Sequence, residues 1–327
     1  NRILLIIMNI LITGCAGFIG FSLAQRLLSN KKNKVIGIDS IDNYYSVKLK
    51  KDRLNILHSQ KNFKFYKFNL KNKKKTNEIF KKNKIDCVYH LAAQAGVRFS
   101  FEKPEKYLND NIYGFYNILE NSKNYKVKNF FVASSSSVYG DTKKLPVREN
   151  YALDEKNLYS LTKSFNEKLG KIYSQKYNMN ICGLRFFTIY GEWGRPDMFM
   201  MKYINSSINK NFFTLYNFGN HKRDFTYIKD VVFLLEKLLF KKLKNKFCSI
   251  NISSSNPYKL SKIMNEINLY FKKPKIIKQK RDIADVLNTH GSNIKLKKII
   301  GEYKYTNIKI GIKNLCEWYK RYYKLKI

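Results

Sequence analysis

Short apolar runs alternate with longer amphipathic stretches through the first half of the chain. The apolar runs predict strands at Met8–Thr13, Lys34–Asp39, Phe63–Asn69, Asp86–Leu91, Asn129–Ser134 and Asn180–Arg185. The amphipathic stretches predict helices at Phe18–Asn30, Lys73–Lys82, Lys106–Asn121 and Lys156–Tyr177. Strands and helices in strict alternation indicate right-handed βαβ units and a doubly wound parallel sheet.

The regular alternation stops near Arg185. Beyond it, Gly-containing segments such as Gly191–Asp197 and Gly219–Asp224 separate shorter elements. We therefore expect the sheet domain to occupy residues 8–185. A smaller mixed α/β lobe is expected over residues 186–327, with part of that lobe returning to the sheet.

The first residues are interpreted as an extension upstream of the fold. Met8 stands where the first strand should begin, so residues 1–7 have no assigned function. The apolar run Ile3–Ile12 is interrupted by Asn9 and is too short to cross a bilayer. Cleavage of this run as a signal peptide would cut into the glycine motif that follows it.

The net charge of +39 arises almost entirely from Lys. Such a charge is compatible with a polyanionic partner, for example nucleic acid or an anionic membrane surface. However, Lys is spread along the chain, and Asn, Ile, Tyr and Phe are also abundant. Biased coding in an AT-rich genome is therefore favoured, and neither specific nucleic-acid binding nor membrane insertion is expected. The excess charge should still attract anionic substrates.

The cysteines stand alone in the sequence, at Cys15, Cys87, Cys182, Cys248 and Cys316. The chain has no CxxC pair, and its four His form no HxxxH pair. This argues against a zinc site and against a disulfide framework, so no metal is expected. A reducing, cytoplasmic location fits this pattern.

A glycine motif joins the first predicted strand to the first predicted helix. Gly14, Gly17 and Gly20 form GxxGxxG, in which missing side chains let the backbone approach a pyrophosphate at the helix N-terminus. Asp39 closes the second predicted strand, where a carboxylate binds an adenosine ribose diol. That acid would repel a 2′-phosphate, so the motif favours NAD over NADP.

A second group of residues carries acid–base chemistry. Tyr159 and Lys163 are four residues apart and share one helix face. An ammonium nearby favours the phenolate, and a positive nicotinamide would add to the effect, so Tyr159 could act as a base near neutrality. Ser135, in the Ser-rich run before this helix, can bond to a reacting hydroxyl. The YxxxK spacing alone is weak because it recurs at Tyr44/Lys48, Tyr139/Lys143, Tyr258/Lys262, Tyr305/Lys309 and Tyr322/Lys326.

The glycine motif, Asp39, the Ser-rich run and YxxxK together resemble the extended short-chain dehydrogenase/reductases. Within them, five segments look like the UDP-glucuronate 4-epimerases: Leu91-Ala-Ala-Gln-Ala-Gly-Val-Arg98, Ser134-Ser-Ser-Ser-Val-Tyr-Gly140, Arg185-Phe-Phe-Thr-Ile-Tyr-Gly191, Trp193-Gly-Arg-Pro-Asp-Met198 and Lys222-Arg-Asp-Phe-Thr-Tyr227. The resemblance implies a Rossmann-type sheet and bound NAD. It also implies epimerisation of a UDP-sugar at C4 through a 4-keto intermediate, with UDP-glucuronate as substrate.

The resemblance also assigns roles to individual positions. Ser135, Tyr159 and Lys163 match a catalytic triad, and the last two also contact the cofactor. The NAD pocket is matched by Gly14, Gly17, Phe18, Ile19, Gly20, Asp39, Asn43, Asn69, Leu70, Leu91, Ala92, Ala93 and Asn111. Substrate positions are matched by Ser136, Ser137, Thr188, Arg195, Arg223 and, in a less regular segment, Asp285.

Two segments depart from the family pattern. Asn69-Leu70 stands where the family has Asp-Leu, whose acid accepts a hydrogen bond from the adenine amino group. An amide oxygen can still accept that bond, so the NAD assignment is kept. The segment Gln279–Asp285 replaces a Gln-Pro-Gly-Asp pattern, which puts the match of Asp285 in doubt.

Several other functions remain open. Related dehydratases and decarboxylases carry a carboxylate where this chain has Ser136 and Ser137, which disfavours both reactions. Epimerisation of neutral UDP-glucose and UDP-galactose is the nearest competitor. A dinucleotide-binding protein without turnover is disfavoured by the intact triad. By resemblance, the helices near 106–121 and 156–177 should pair with their copies in a homodimer.

Overall fold

The computed structural model describes residues 8–241, 243, 246–280 and 286–325. Its strands are β1 Asn9–Thr13, β2 Lys34–Asp39, β3 Phe63–Lys67, β4 Cys87–His90, β5 Asn129–Ser135, β6 Asn180–Phe186, β7 Thr188–Tyr190, β8 Phe213–Tyr216, β9 Lys222–Tyr227, β10 Phe247–Ile252, β11 Pro257–Lys259 and β12 Ile276–Gln279. Each strand predicted from the sequence is present, with ends that differ by at most two residues.

The helices surround this framework. They are α1 Phe18–Leu28, α2 Val47–His58, α3 Lys73–Lys82, α4 Phe99–Glu102, α5 Pro104–Tyr107, α6 Gly114–Asn124, α7 Leu158–Tyr177, α8 Phe199–Ile208, α9 Ile228–Leu239, α10 Leu260–Asn268, α11 Ile294–Ile300 and α12 Ile308–Tyr322. The helix predicted at 106–121 is instead α5 and α6, joined by a π-helical turn at Leu108–Tyr113. α2 was not predicted from the sequence.

A seven-stranded parallel sheet forms the centre, in the order β10-β6-β5-β4-β1-β2-β3. Ile10 and Ile12 of β1 face one apolar core, which includes α1, α9 and α12. Leu11 faces the other core, which includes α3 and α6. Buried strands with helices against both faces confirm the predicted α/β, doubly wound Rossmann-type class.

Two smaller sheets lie in the second half of the chain. One has the order β11-β9-β7, with β9 parallel to β7 and antiparallel to β11, and β8 pairs with β12. β10 pairs along its whole length with β6 of the central sheet. The second half therefore contributes both to the small sheets and to the central one, while the domain boundaries at 185 and 186 stay a prediction. The first seven residues lie outside the described residues.

All five cysteines are buried and none forms a disulfide. The Sγ atoms of Cys182 and Cys248, on neighbouring strands, are 3.7 Å apart. Within the described ranges, no helix combines the length and apolarity needed to cross a bilayer.

Candidate active site

A cavity of about 1000 Å³ opens where the central parallel strands end. Such edges are where ligands bind in open parallel sheets. The cavity wall includes these residues predicted from the sequence: Gly14, Gly17, Phe18, Ile19, Gly20, Asp39, Asn69, Leu70, Leu91, Ala92, Ala93, Ser135, Ser136, Ser137, Tyr159, Lys163, Thr188, Arg195 and Arg223. The fold thus brings predicted site residues from distant parts of the chain into the wall of one cavity. Asp285 lies outside the described residues.

The glycine loop shapes one wall of the cavity. Gly17 caps α1, and its N–H donates to the Gly14 carbonyl over 2.9 Å. A Cβ on Gly20 would lie 2.1 Å from the Gly14 oxygen, and Gly14 itself has φ +73°. The loop therefore tolerates no side chain at these positions, and the free N–H groups at the start of α1 can bind a diphosphate.

Asp39 is held at the end of β2 by two backbone groups. Its Oδ1 accepts from the Ile41 N–H (2.8 Å) and its Oδ2 from the Ala16 N–H (3.0 Å). Burial raises the pKa of this carboxyl, and these N–H bonds with Lys50 and Arg53 nearby act in the opposite direction. Each oxygen keeps a further lone pair, so the carboxylate can also accept from a ribose diol.

Two predicted cofactor residues lie elsewhere. Asn43 is exposed and is not part of the cavity wall. Asn111 is fully buried, and its side chain bonds to the Gln94 N–H (2.7 Å), the Gln94 carbonyl (3.0 Å) and Thr162 Oγ1 (3.1 Å). Its amide groups are therefore used in bracing the loop after β4 against α7, and Asn111 supports the cavity without lining it.

The triad comes together between β5 and α7. Ser135 ends β5, while Tyr159 and Lys163 lie one turn apart on α7, whose start is fixed by a capping box between Asn157 and Ser160. The Lys163 Nζ donates to the Ala133 carbonyl over 2.9 Å, and burial lowers the pKa of Lys163 to about 8. Ser135 Oγ accepts from the Ser137 N–H at 3.1 Å.

Groups around Tyr159 act on its pKa in opposite directions. Burial raises the pKa of the phenol, while Arg195 and then a hydrogen bond with Ser135 act to lower it. Lys163 Nζ lies 5.8 Å from the centre of the Tyr159 ring. Arg195 is therefore a cation, additional to the predicted Lys163, that favours the phenolate. The lowering expected from Lys163 and a bound nicotinamide stays a prediction.

Arg195 is paired with an acid that the sequence analysis did not single out. Its Nε and Nη2 donate to the two oxygens of Asp197, over 3.0 and 2.5 Å. The Tyr44 hydroxyl also donates to Asp197, over 3.4 Å. This pairing fixes the plane of the guanidinium in the cavity wall and compensates its partly buried charge.

Arg53 is a second residue that sequence reasoning missed. It is fully buried on α2, where its Nη1 donates to the Ala16 carbonyl (2.8 Å) and its Nη2 to the Trp193 carbonyl (2.5 Å). It thus links the glycine loop to the loop that carries Arg195. The sequence analysis could not identify the role of Arg53, because helix α2, which carries it, was not predicted.

The other substrate positions lie around the same opening. Thr188 begins β7, and Ser136 and Ser137 form a 3₁₀ turn directly after β5. Arg223, on β9, donates to the carbonyls of Val286 (2.6 Å) and Leu287 (2.8 Å). These hydroxyls and guanidinium groups give this end of the cavity several donors for an anionic ligand.

A buried ion pair supports the strand end beneath the triad. Arg185 Nη2 and Glu167 Oε2 are 2.7 Å apart, and both side chains are 5% exposed. Ser134, next to Ser135, donates to Glu167 Oε1 over 2.5 Å. Glu167 is on α7, one turn after Lys163, so the pair ties β5 and β6 to the helix of the triad.

Replacing Arg185 by Met should lower the free energy of unfolding by about 3–5 kcal/mol, because Glu167 would keep a buried, uncompensated charge. Urea denaturation measures the change. Arg26→Met is the matched control, since Arg26 pairs with Glu236 at 2.8 Å on the surface. That change should cost less than about 1 kcal/mol. Equal losses in the two variants would contradict a supporting role for the buried pair.

Comparison with known proteins agrees with this geometry. Residues 10–253 match the model of the NAD dependent epimerase/dehydratase family. Protein CapI of Staphylococcus aureus is 39% identical, over 97% of this chain and 100% of its own length. A UDP-glucuronate 4-epimerase of Thermodesulfobacterium geofontis is 35% identical, over 95% of each chain.

A solved structure is also similar. The UDP-glucuronic acid 4-epimerase of Bacillus cereus, in complex with UDP-glucuronic acid and NAD, superposes with a TM-score of 0.90 at 29% identity. The match covers 97% of this chain and 100% of that one. The fold and cavity therefore define a dinucleotide-binding enzyme of the short-chain dehydrogenase type. The chain belongs to the NAD dependent epimerase/dehydratase family.

NAD is the cofactor, as predicted. The side-chain-free glycine loop fits its diphosphate, and Asp39 fits the ribose diol of its adenosine half. The expectation of an NAD-dependent epimerase in the isomerase class is confirmed at this level. The individual residue roles remain proposals.

We expect the protein to purify with the dinucleotide bound, because epimerisation consumes no net reductant or oxidant. Denaturing the protein and resolving the released nucleotides by chromatography measures the occupancy. A preparation that releases no dinucleotide, and that also fails to bind added NAD, would contradict the interpretation of the glycine loop.

Proposed function

We propose that this enzyme epimerises UDP-glucuronate at C4, giving UDP-galacturonate. The observation that carries the proposal is the set of donors around Tyr159. Ser136, Ser137, Thr188 and Arg195 all line the cavity that contains the tyrosine. A uronate carboxylate entering this space needs charged or hydroxyl donors, because an unpaired buried charge is costly. The similarity to the UDP-glucuronate 4-epimerases of Thermodesulfobacterium geofontis and Bacillus cereus supports the same substrate.

The triad performs the proton transfer in this proposal. Tyr159 removes the proton of the C4 hydroxyl, and Ser135, which bonds to Tyr159, orients that hydroxyl. Bound NAD supplies a reversible acceptor for the C4 hydride. The 4-keto sugar would then rotate within the cavity, so that the same hydride could return to the opposite face of C4 while Tyr159 returns the proton to the C4 oxygen. Arg195 favours the phenolate throughout.

The acids in the cavity wall do not favour the competing eliminations. Removal of a C5 proton or protonation of a leaving hydroxyl requires a free carboxylate near the triad. The turn that follows β5 offers Ser136 and Ser137 instead. Asp197 is bonded to Arg195 through both of its oxygens. Desolvation raises the Asp197 pKa, but Arg195 outweighs this effect and holds it below its usual value. Asp197 therefore stays ionised and cannot act as a general acid.

Incubation of the purified enzyme with UDP-glucuronate, UDP-glucose and UDP-N-acetylglucosamine tests the proposal. Proton NMR resolves the C4 epimers of each sugar. We expect UDP-galacturonate from the first and little product from the other two. Preferred conversion of UDP-glucose would contradict the proposal and make the neutral sugar the substrate. A 4-keto-6-deoxy sugar or a pentose product would indicate a dehydratase or a decarboxylase.

We also propose that the enzyme is a homodimer. Leu161, Phe165 and Ile172 lie at i, i+4 and i+11 on α7 and form an apolar stripe on its outer side, 39–57% exposed. Leu108 and Tyr113, in the neighbouring π-helical turn, are also exposed. A second copy of the same stripe is the partner that a twofold arrangement supplies. The cytoplasmic location stays a prediction.

Light scattering at micromolar concentration should therefore give the mass of two chains. Leu161→Glu should shift the protein to a monomer, because it places a charge in the apolar stripe. Leu269→Glu is the matched control, since Leu269 is an exposed leucine directly after α10. A wild-type monomer, or equal dissociation by both variants, would contradict the proposal.

A further inference from the structure

The adenine end of the cavity can be located from the two anchors already described. The glycine loop holds the diphosphate at the end of β1, and Asp39 holds the ribose at the end of β2. β3 is the next strand in the sheet, and the cavity continues over its end. Asn69 and Asp110 are the polar side chains of the cavity wall beyond β3. We therefore expect the adenine base to lie against them.

The orientation of the Asn69 amide is fixed by its neighbours. Its Oδ1 accepts from the Lys71 N–H over 2.9 Å, and a backbone N–H can only donate. Its Nδ2 consequently points the other way and donates to Asp110 Oδ1 over 3.2 Å. Asn69 thus presents a donor on its Asp110 side, and its oxygen already accepts one backbone bond. That oxygen keeps a second lone pair, so the expectation that it accepts from adenine stays a prediction.

Asp110 supplies an acceptor at the same place. It lies in the π-helical turn Leu108–Tyr113, a type of turn that is frequent at functional sites. Its Oδ2 is 3.1 Å from Lys106 Nζ, which also bonds to Asp42 Oδ2 at 2.7 Å. The Asp110 side chain is 19% exposed and is held from two sides. Each carboxylate oxygen retains an accepting lone pair after these bonds.

We propose that Asp110 is the residue that recognises adenine in the bound NAD. Its carboxylate accepts a hydrogen bond from the exocyclic amino group, and the Asn69 amide donates to a neighbouring ring nitrogen. An acceptor beside a donor complements the donor and acceptor on that edge of adenine. The same pair rejects a base with an oxo group in place of the amino group. This proposal concerns the cofactor and is independent of which sugar is the substrate.

Nicotinamide hypoxanthine dinucleotide is the probe, because it differs from NAD only in carrying that oxo group and a ring N–H. The enzyme is equilibrated with mixtures of the two dinucleotides, and the bound fraction is quantified after denaturation. Wild-type enzyme should prefer NAD by more than about tenfold, the amount that one charge-assisted hydrogen bond contributes. Asp110→Asn should reduce this preference by about tenfold, because an amide can turn its donor toward the oxo group.

Asp42→Asn is the matched control, because Asp42 shares Lys106 with Asp110 and does not bond to Asn69. It should leave the preference unchanged. The exchanged variant Asn69→Asp/Asp110→Asn should not restore it, because the acid would then face the ring nitrogen, which is also an acceptor. Equal weakening of both dinucleotides by Asp110→Asn, or the same shift in Asp42→Asn, would show that Asp110 acts only on the local structure and would overturn the proposal.

Discussion

Replacing Tyr159 by Phe should lower kcat for every UDP-sugar by about 10²- to 10⁴-fold, the range that a positioned general acid–base contributes. The change removes one hydroxyl from a partly buried side chain whose hydrogen-bond partner is Ser135. The ring remains to pack against Tyr107, at 6.3 Å between ring centres. We therefore expect the fold and the bound NAD to be retained while turnover is lost.

Tyr258→Phe provides the matched control for this variant. Tyr258 has the same YxxxK spacing, with Lys262, but lies on β11 away from the cavity wall. It should retain wild-type kcat when initial rates are measured by chromatography of the UDP-sugars. If Tyr159→Phe kept more than about a tenth of the activity, another group would have to move the proton.

The second large effect concerns the uronate carboxylate. Arg195→Ala should lower kcat/KM for UDP-glucuronate by about ten- to a hundredfold more than for UDP-glucose, because a charge-assisted bond is lost only with the acidic sugar. Both sugars should also lose some kcat, since Arg195 favours the Tyr159 phenolate. The ratio of the two kcat/KM values separates these contributions.

Asp197 provides the control for that experiment. Arg195→Ala also leaves the Asp197 carboxylate without its bidentate partner, so Arg195→Ala/Asp197→Asn should be compared as well. A shift in the ratio that persists in the double variant belongs to the sugar carboxylate. If both sugars were weakened equally, Arg195 would act on Tyr159 or on the diphosphate, and Ser136, Ser137 and Thr188 would be left to bind the carboxylate.

The sheet and the triad could be predicted because their signals are local in the sequence. Each central strand is a short apolar run, and β2 has the predicted bounds Lys34–Asp39. The glycine loop lies within one strand–turn–helix unit, β1 to α1. Tyr159 and Lys163 lie one turn apart on a single helix, α7. For such features, the periodicity of the chain and the geometry of the turn are sufficient.

α2 could not be recognised in the same way. Leu49, Leu54 and Leu57 face the core together with Lys50 and Arg53, so charged residues lie on the buried side. The buried cation is stable because it bonds to the carbonyls of Ala16 and Trp193, which tertiary folding brings to it. A hydrophobic pattern carries no information about such partners.

The arrangement of the cofactor site was hidden from the sequence for a related reason. Asn111 and Asp110 are neighbours in the sequence, but the π-helical turn buries the first and leaves the second at the cavity. The contact of Asp110 with Asn69 joins the π-helical turn to the segment after β3, which are far apart in the sequence. Similarly, the balance of charges on Tyr159 depends on Arg195, which approaches from a distant loop. Residue types and spacing therefore indicated the chemistry of the site. The residues that contact Asp110 and Tyr159 could be identified only from the folded structure.

Conversion of UDP-glucuronate in D₂O, followed by proton NMR, tests the central claim most directly. The hydrogen on C4 leaves and returns to the same carbon, and no group in the proposed site removes the C5 proton. We therefore predict UDP-galacturonate that retains protium at both C4 and C5. Deuterium at either carbon, or a product other than the C4 epimer, would contradict the proposed function.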